Sequence, residues 1–346
     1  MFIRTMFIVA SAVSALAAAP IDAKPVTTVP IKRMVVLGDS LSDQGNLLFA
    51  TEILNPPGVP GAPDEIHYVE GRFSNGPNYV DLLAAKLGVT VFPSEFGGTN
   101  YAFGGSRTDY NRGEDRDVPP PLPTGPYPIG AFPWSLDGQR AEFLATAGPR
   151  NADPNGLYVV FHGSNDLADA FIARLALGED PTARVQTAVQ GVVNTVLAFK
   201  SAGARTILVL LSPNLGVVPS ITALGPQAAG FASFLSVEFN NALVSALAQI
   251  QGPNIVVFDT FAFLTRVVSM PNAYGFTNVS TPCYTGFVAP DPTATECTNP
   301  DEYVFWDVEH PTTRVHALLA EELFTTALKC ARQGNAPYAH CAVNKH

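Results

Sequence analysis

Three short stretches hold the residue types that acyl transfer needs. "VVLGDSLSDQGN" (35–46) is an apolar run that ends abruptly in Gly38, Asp39 and Ser40. "HGSNDL" (162–167) carries Asn165, and "WDVEHPT" (306–312) sets Asp307 three residues before His310. A serine hydroxyl is a weak nucleophile near neutral pH and needs a base within hydrogen-bond reach. Imidazole titrates near neutrality, so His310 is the best base on offer. A carboxylate three residues earlier can turn back to the other ring N–H, fixing the tautomer and stabilising the imidazolium. Attack on an ester carbonyl would then create an oxyanion that needs hydrogen-bond donors.

Each residue also has a plainer role open to it. Ser40 fits a turn or a helix N-cap, and Asn165 or Asp166 fits the cap of a helix over "DLADAFIARLAL". Asp307 and His310 fit a helix-entry turn before Pro311, and among six histidines a single D-x-x-H spacing says little by itself. What favours chemistry is their joint occurrence, in order, at strand ends. Asp39 supports the turn that presents Ser40, His162 packs beside the Asn165 loop, and His316 receives no role. Phe73 and Phe103 lie close enough to the motifs to line an acyl pocket. Asp43, Asp166 and Asp307 are scattered single carboxylates without a D-x-D-x-D-G loop, so no calcium site is assigned.

The elements that must position these residues are legible as alternating runs. "RMVVLG" (33–38), "GLYVVFHG" (156–163), "ARTILVLLSP" (204–213) and "NIVVFDT" (254–260) are apolar on successive residues, as strands buried on both faces of a parallel sheet are. Segments 77–89, 181–203 and 225–250 have helical length and spacing, and a last helix is expected from Pro311. Strand alternating with helix implies a three-layer α/β/α sandwich with a mainly parallel sheet, and "VTVFP" (89–93) is read as its fifth strand. Two Pro- and Gly-containing segments interrupt the rhythm, so residues 31–346 are read as one domain with loop insertions at about 107–135 and 271–305.

Of the 346 residues, 47% are hydrophobic and 14% charged, a globular composition. A net charge of −10 without a basic cluster excludes nucleic acid as a partner. Arg4 followed by "MFIVASAVSALAAA" and small residues reads as a secretory signal peptide over 1–23, cleaved after Ala17, Ala19 or Ala23. The apolar run is too short for an anchor, and no later segment is apolar enough to cross a membrane. The protein is therefore expected outside the cytoplasm. Cys283, Cys297, Cys330 and Cys341 suit two disulfides there, and proximity favours Cys283–Cys297 and Cys330–Cys341. No zinc spacing is present.

"GDSL" (38–41), "NYAFGGS" (100–106), "GSND" (163–166) and "DVEH" (307–310), with "GRFSNGPNYVDLLA" (71–84), resemble the GDSL, or SGNH, family of serine ester hydrolases over essentially the whole mature sequence. The resemblance implies a flavodoxin-like SGNH hydrolase fold with Ser40, Asp307 and His310 as the triad. It implies Ser40, Gly105 and Asn165 as the oxyanion hole, with Gly104 the alternative to Gly105. A lipase or esterase acting through an acyl-enzyme on a small-molecule or lipid ester, with no metal or other cofactor, is the expected activity. A lipid acyltransferase with the same site is the neighbouring reading, and a silent binding protein on the same scaffold is the reading from another class. Acyl length, alcohol partner and oligomeric state are not encoded in these motifs.

Overall fold

Four of the apolar runs pair as parallel strands in the order β1 (Arg33–Gly38), β2 (Gly156–Phe161), β3 (Thr206–Leu210), β4 (Asn254–Phe258). The computed structural model describes residues 31–54, 60–109, 135–148, 152–252 and 254–328. The signal-peptide segment, most of the 107–135 insertion, and Cys330 and Cys341 lie outside them. Helices follow in sequence order: α1 (Asn46–Leu54), α2 (Tyr79–Leu87), α3 (Leu136–Ala147), α4 (Ser164–Leu177) and α5 (Thr182–Ala202). Then come α6 (Pro219–Thr222), α7 (Pro226–Leu247), α8 (Thr260–Ser269), α9 (Pro271–Tyr274) and α10 (Thr313–Glu322).

Side chains alternate across a strand, so each run feeds two cores. Val35, Leu37, Tyr158, Val160, Ile207 and Val209 pack with Phe143, Phe199 and Phe239 of α3, α5 and α7. Met34, Val36, Leu157, Val159, Leu208 and Leu210 pack with Leu83, Phe263 and Leu319 of α2, α8 and α10. The molecule is thus a three-layer α/β/α sandwich. Local signals set the helix ends. Asn78 and Asp81 form a reciprocal capping box at the start of α2, and Gly88 ends it in the left-handed region.

The fifth strand expected at 89–93 is not formed. The place beside β1 is taken by residues 99–103 instead. Val36 N–H donates to Thr99 O (3.0 Å), Tyr101 N–H to Val36 O (2.7 Å) and Phe103 N–H to Gly38 O (3.2 Å). Tyr101, Ala102 and Phe103 are fully buried there, whereas Phe92 is 43% exposed. The more completely buried run wins the edge, and 89–93 is pushed outward, where Phe92 O accepts from Thr99 and Asn100. The backbone therefore leaves β1 toward one side and returns to β2 on the other. Open parallel sheets bind ligands at the carboxyl ends of strands flanking such a reversal. Ser40 follows β1, and Asn165 follows β2.

The last helix starts at Thr313 rather than Pro311. Residues 304–312 fold back on themselves first: Trp306 N–H donates to His310 O (2.7 Å) and Thr312 N–H to Val304 O (2.9 Å). That turn carries Asp307 and His310.

Candidate active site

Ser40 stands just beyond a strand end that is held from both sides. The buried Gln139 amide accepts from Gly38 N–H and donates to Gly38 O, each at 2.9 Å. The backbone then turns, with Ser42 and Asp43 N–H donating to Asp39 O at 2.9 and 3.0 Å. Leu41 N–H donates to Asp39 Oδ1 (3.1 Å), so Asp39 does support this turn. Burial pushes the Asp39 carboxyl up to about 6. Asp43 serves the next element, accepting N–H groups from Gly45, Asn46 and Leu47 where α1 begins.

Ser40 Oγ lies 3.0 Å from His310 Nε2, and His310 Nδ1–H donates to Asp307 Oδ2 at 2.7 Å. Asp307 is fully buried, and its Oδ1 accepts the N–H groups of Glu309 and His310, both at 2.7 Å. Burial alone would lower the basicity of His310. The charge and hydrogen bond of Asp307, with help from Glu309 and Asp39, more than offset this and leave the imidazole above its ordinary range. Two rings enclose it: Phe73, tilted with centroids 5.0 Å apart, and Phe287, stacked at 5.8 Å.

The two glycines of "GGS" do different work. Gly104 N–H is taken by Asp43 Oδ2 (2.8 Å), and a Cβ at Gly104 would meet Phe73 Cζ at 2.2 Å. Gly105 has φ +74°, which favours glycine. Among the described residues neither Ser40 N–H nor Gly105 N–H donates a hydrogen bond. Helix α4 is entered through Gly163 without a side-chain cap, so Asn165 is not a capping residue. Its amide instead donates to Ser106 O (3.0 Å), beside Gly105, and Asp166 accepts from Thr108 N–H (3.0 Å) and Oγ1–H (2.7 Å).

Ser40, His310 and Asn165 share the wall of a cavity of ≈ 120 Å³. The rest of that wall is mostly apolar, with Phe161, Phe171, Leu215, Ile221, Phe263 and Leu319 among its residues. Phe73 and Phe103, expected near an acyl pocket, are not part of this wall: Phe73 covers His310, and Phe103 is buried. His162 and His316 are held neutral by burial, each lowered to about 3. His162 Nδ1 accepts from Gly163 N–H, leaving Nε2–H to donate to Ser106 Oγ (2.8 Å). His316 packs parallel to Tyr79 in the cavity wall.

Sequence reasoning misses four participants. Gln139 clamps the strand end, and Arg107 pairs with Asp169 through two 2.7 Å bonds while also donating to Gly105 O. Phe287 covers His310. Tyr68, from the 60–75 segment, donates to Asp307 Oδ2 at 2.6 Å. The expected Cys283–Cys297 disulfide is present, and it closes the loop that supplies Phe287.

A parallel α/β sandwich with a serine, an imidazole and a carboxylate in line at its carboxyl edge has the build of a serine hydrolase. Residues 34–323 match the GDSL-like Lipase/Acylhydrolase family, and the chain belongs to that family. It is a GDSL-type carboxylic ester hydrolase. A GDSL esterase/lipase of Arabidopsis thaliana is 27% identical over 329 residues, covering 86% of this chain and 90% of that protein. The thermolabile hemolysin of Vibrio parahaemolyticus is 25% identical, covering 86% of this chain and 64% of that protein. Among solved structures, the lipase Lip_vut3 from a goat rumen metagenome aligns at 12% identity with a TM-score of 0.44, covering 90% of this chain and 99% of that one.

Proposed function

We propose that the protein hydrolyses esters of apolar acyl groups through an acyl-enzyme on Ser40. The observation that carries this reading is the unbroken line Ser40 Oγ, His310 Nε2, His310 Nδ1, Asp307 Oδ2, with separations of 3.0 and 2.7 Å across its two hydrogen bonds. His310 takes the Ser40 proton as Oγ attacks the carbonyl carbon, and Asp307 stabilises the imidazolium. The free N–H groups of Ser40 and Gly105, with the Asn165 amide, receive the oxyanion. Collapse expels the alcohol with the proton from His310. Water, deprotonated by the same imidazole, then releases the acid. The apolar cavity beside Ser40 supports an apolar acyl group, since burying such a group is favourable by about 0.8 kcal/mol per methylene.

Export supports the same picture. The Arg4-led apolar segment reads as a secretory signal, and the Cys283–Cys297 disulfide suits an oxidising compartment. The test is Ser40→Ala together with a serine-directed fluorophosphonate. The variant should neither turn over esters nor take the label, with its melting temperature unchanged. Near-normal turnover by Ser40→Ala would overturn the mechanism.

A further inference from the structure

Asp307 receives four hydrogen bonds, and three of them come from its own turn: Glu309 N–H, His310 N–H and His310 Nδ1–H. The fourth comes from Tyr68, which donates at 2.6 Å to Oδ2, the oxygen that also holds the His310 ring. Tyr68 Oη in turn accepts Val288 N–H (3.0 Å) from the loop closed by Cys283–Cys297. Val288 O accepts from Asp64 N–H (2.8 Å), so residues 64–68 grip Val288 from both sides. Val288 is held there at φ +51°, a conformation that a β-branched residue rarely adopts. Both of its peptide groups are gripped there, and Ala289 N–H donating to Phe287 O closes the turn around it.

The phenol itself has little freedom. Tyr68 is 1% exposed and meets Tyr284 edge-on at 5.8 Å and Phe73 at 6.3 Å. Cys283 and Tyr284 N–H donate to Phe305 O (3.0 Å) and Trp306 O (2.6 Å), so the base of the disulfide loop runs alongside the segment that enters Asp307. The loop thus reaches His310 by two routes: through Val288, Tyr68 and Asp307, and through the Phe287 ring stacked on the imidazole.

We propose that Tyr68 is a positioning residue for the Asp307–His310 pair, and that it transmits the placement of the disulfide-closed loop to the imidazole. The proposal rests on the triad reading above. Two effects follow from one hydrogen bond. The O–H fixes the carboxylate so that Oδ2 points at Nδ1. It also spreads the carboxylate's charge, which moderates how strongly Asp307 stabilises the imidazolium. Burial pushes the Tyr68 phenol far above its ordinary range, so it remains a donor throughout the working pH range.

Removing the O–H therefore has a signed consequence. In Tyr68→Phe the Asp307 charge is more concentrated, His310 binds its proton more tightly, and the acid limb of kcat/KM moves to higher pH. The other charged or titratable groups facing the imidazole are Asp39, Glu309 and the neutral His316, and none of them is altered. We expect kcat to fall roughly 10-fold, the scale of one charge-assisted hydrogen bond, with KM unchanged. Replacing Tyr68 with a ring-fluorinated tyrosine strengthens the donor at nearly constant shape and should move the limb to lower pH. Opposite movements in the two variants support the proposal. Limbs that coincide with the parent's in both would overturn it, even if Tyr68→Phe lowers the melting temperature. Ser40→Ala keeps the two questions apart: an active Ser40→Ala sinks the triad, whereas an inactive one with unmoved limbs sinks only the role of Tyr68.

Discussion

The Phe287 ring lies parallel to the His310 imidazole, with 5.8 Å between centroids and 11° between planes. Phe287 belongs to the loop closed by Cys283–Cys297, two cysteines 14 positions apart, and the same loop holds Tyr68 through Val288. If His310 is the base of the proposed mechanism, a loop so tied to it should matter for rate as well as for stability.

Opening that loop should affect both. Closing about 15 residues contributes roughly 3 kcal/mol in the chain-entropy account, so Cys283→Ser/Cys297→Ser should melt at a lower temperature. It should also lower kcat measured on the folded fraction, because a small misplacement of the base is costly. Unchanged kcat per folded molecule would show that the loop does not position His310.

The pH profile follows from Asp307. The proposed mechanism calls for neutral His310, whose proton affinity burial would lower but the charge of Asp307 raises above the ordinary histidine range. Activity should therefore fall as pH drops through a value above the ordinary histidine range. The raised affinity also stabilises the fold, fully at pH below the unfolded-state value and progressively less as pH rises through the folded one. Asp307→Asn should lower kcat by about 10⁴ and move the limb to lower pH. His162 and His316, lowered to about 3 by burial, should add no limb near neutrality. A kcat/KM profile of the parent and Asp307→Asn checks this.

Asn165 sits in the first turn of α4 without capping it, so its loss should leave the helix intact. Asn165→Ala is expected to reduce kcat by roughly 10²–10³ with little change in KM, the cost of one oxyanion donor. Steady-state kinetics with a melting curve decides. A large drop in melting temperature with kcat preserved would make Asn165 structural.

Arg107 and Asp169 form a buried pair, each side chain 6% exposed. Arg107→Ala takes the guanidinium from the buried Asp169 carboxylate and should cost about 3–5 kcal/mol of stability by denaturant titration. The paired replacement Arg107→Met/Asp169→Leu should cost much less. Both should slow turnover, because Gly105 O loses its Arg107 donor.

The strands are readable because strands buried on both faces are continuous apolar runs, and Ser40 and Asn165 are readable because they sit in short motifs near the ends of such runs, whereas Asp307 and His310 are readable only by their D-x-x-H spacing in the turn before α10. Helix α3 is not. Its buried positions are Leu136, Gln139 and Phe143, and a polar residue at the middle one breaks the apolar periodicity. Gln139 is buried because it clamps Gly38, a demand that no local pattern announces. The strand expected at 89–93 has the right residue types, but 99–103 buries more completely against β1. Tyr68 leaves no trace at all, since its hydrogen bond spans 239 residues of sequence. Phe73 and Phe103 lie near the motifs, as expected, but serve a different task. The cavity wall comes from α4, α8 and α10 instead.

The proposed covalent intermediate on Ser40 can be weighed. Rapid quench of the protein during hydrolysis of an activated ester, followed by peptide mass spectrometry, should find the acyl mass on the peptide containing Ser40. Asn165→Ala should build up the same adduct more slowly, and Ser40→Ala should show none. Acyl mass on another residue, or turnover by Ser40→Ala without any adduct, would contradict the account.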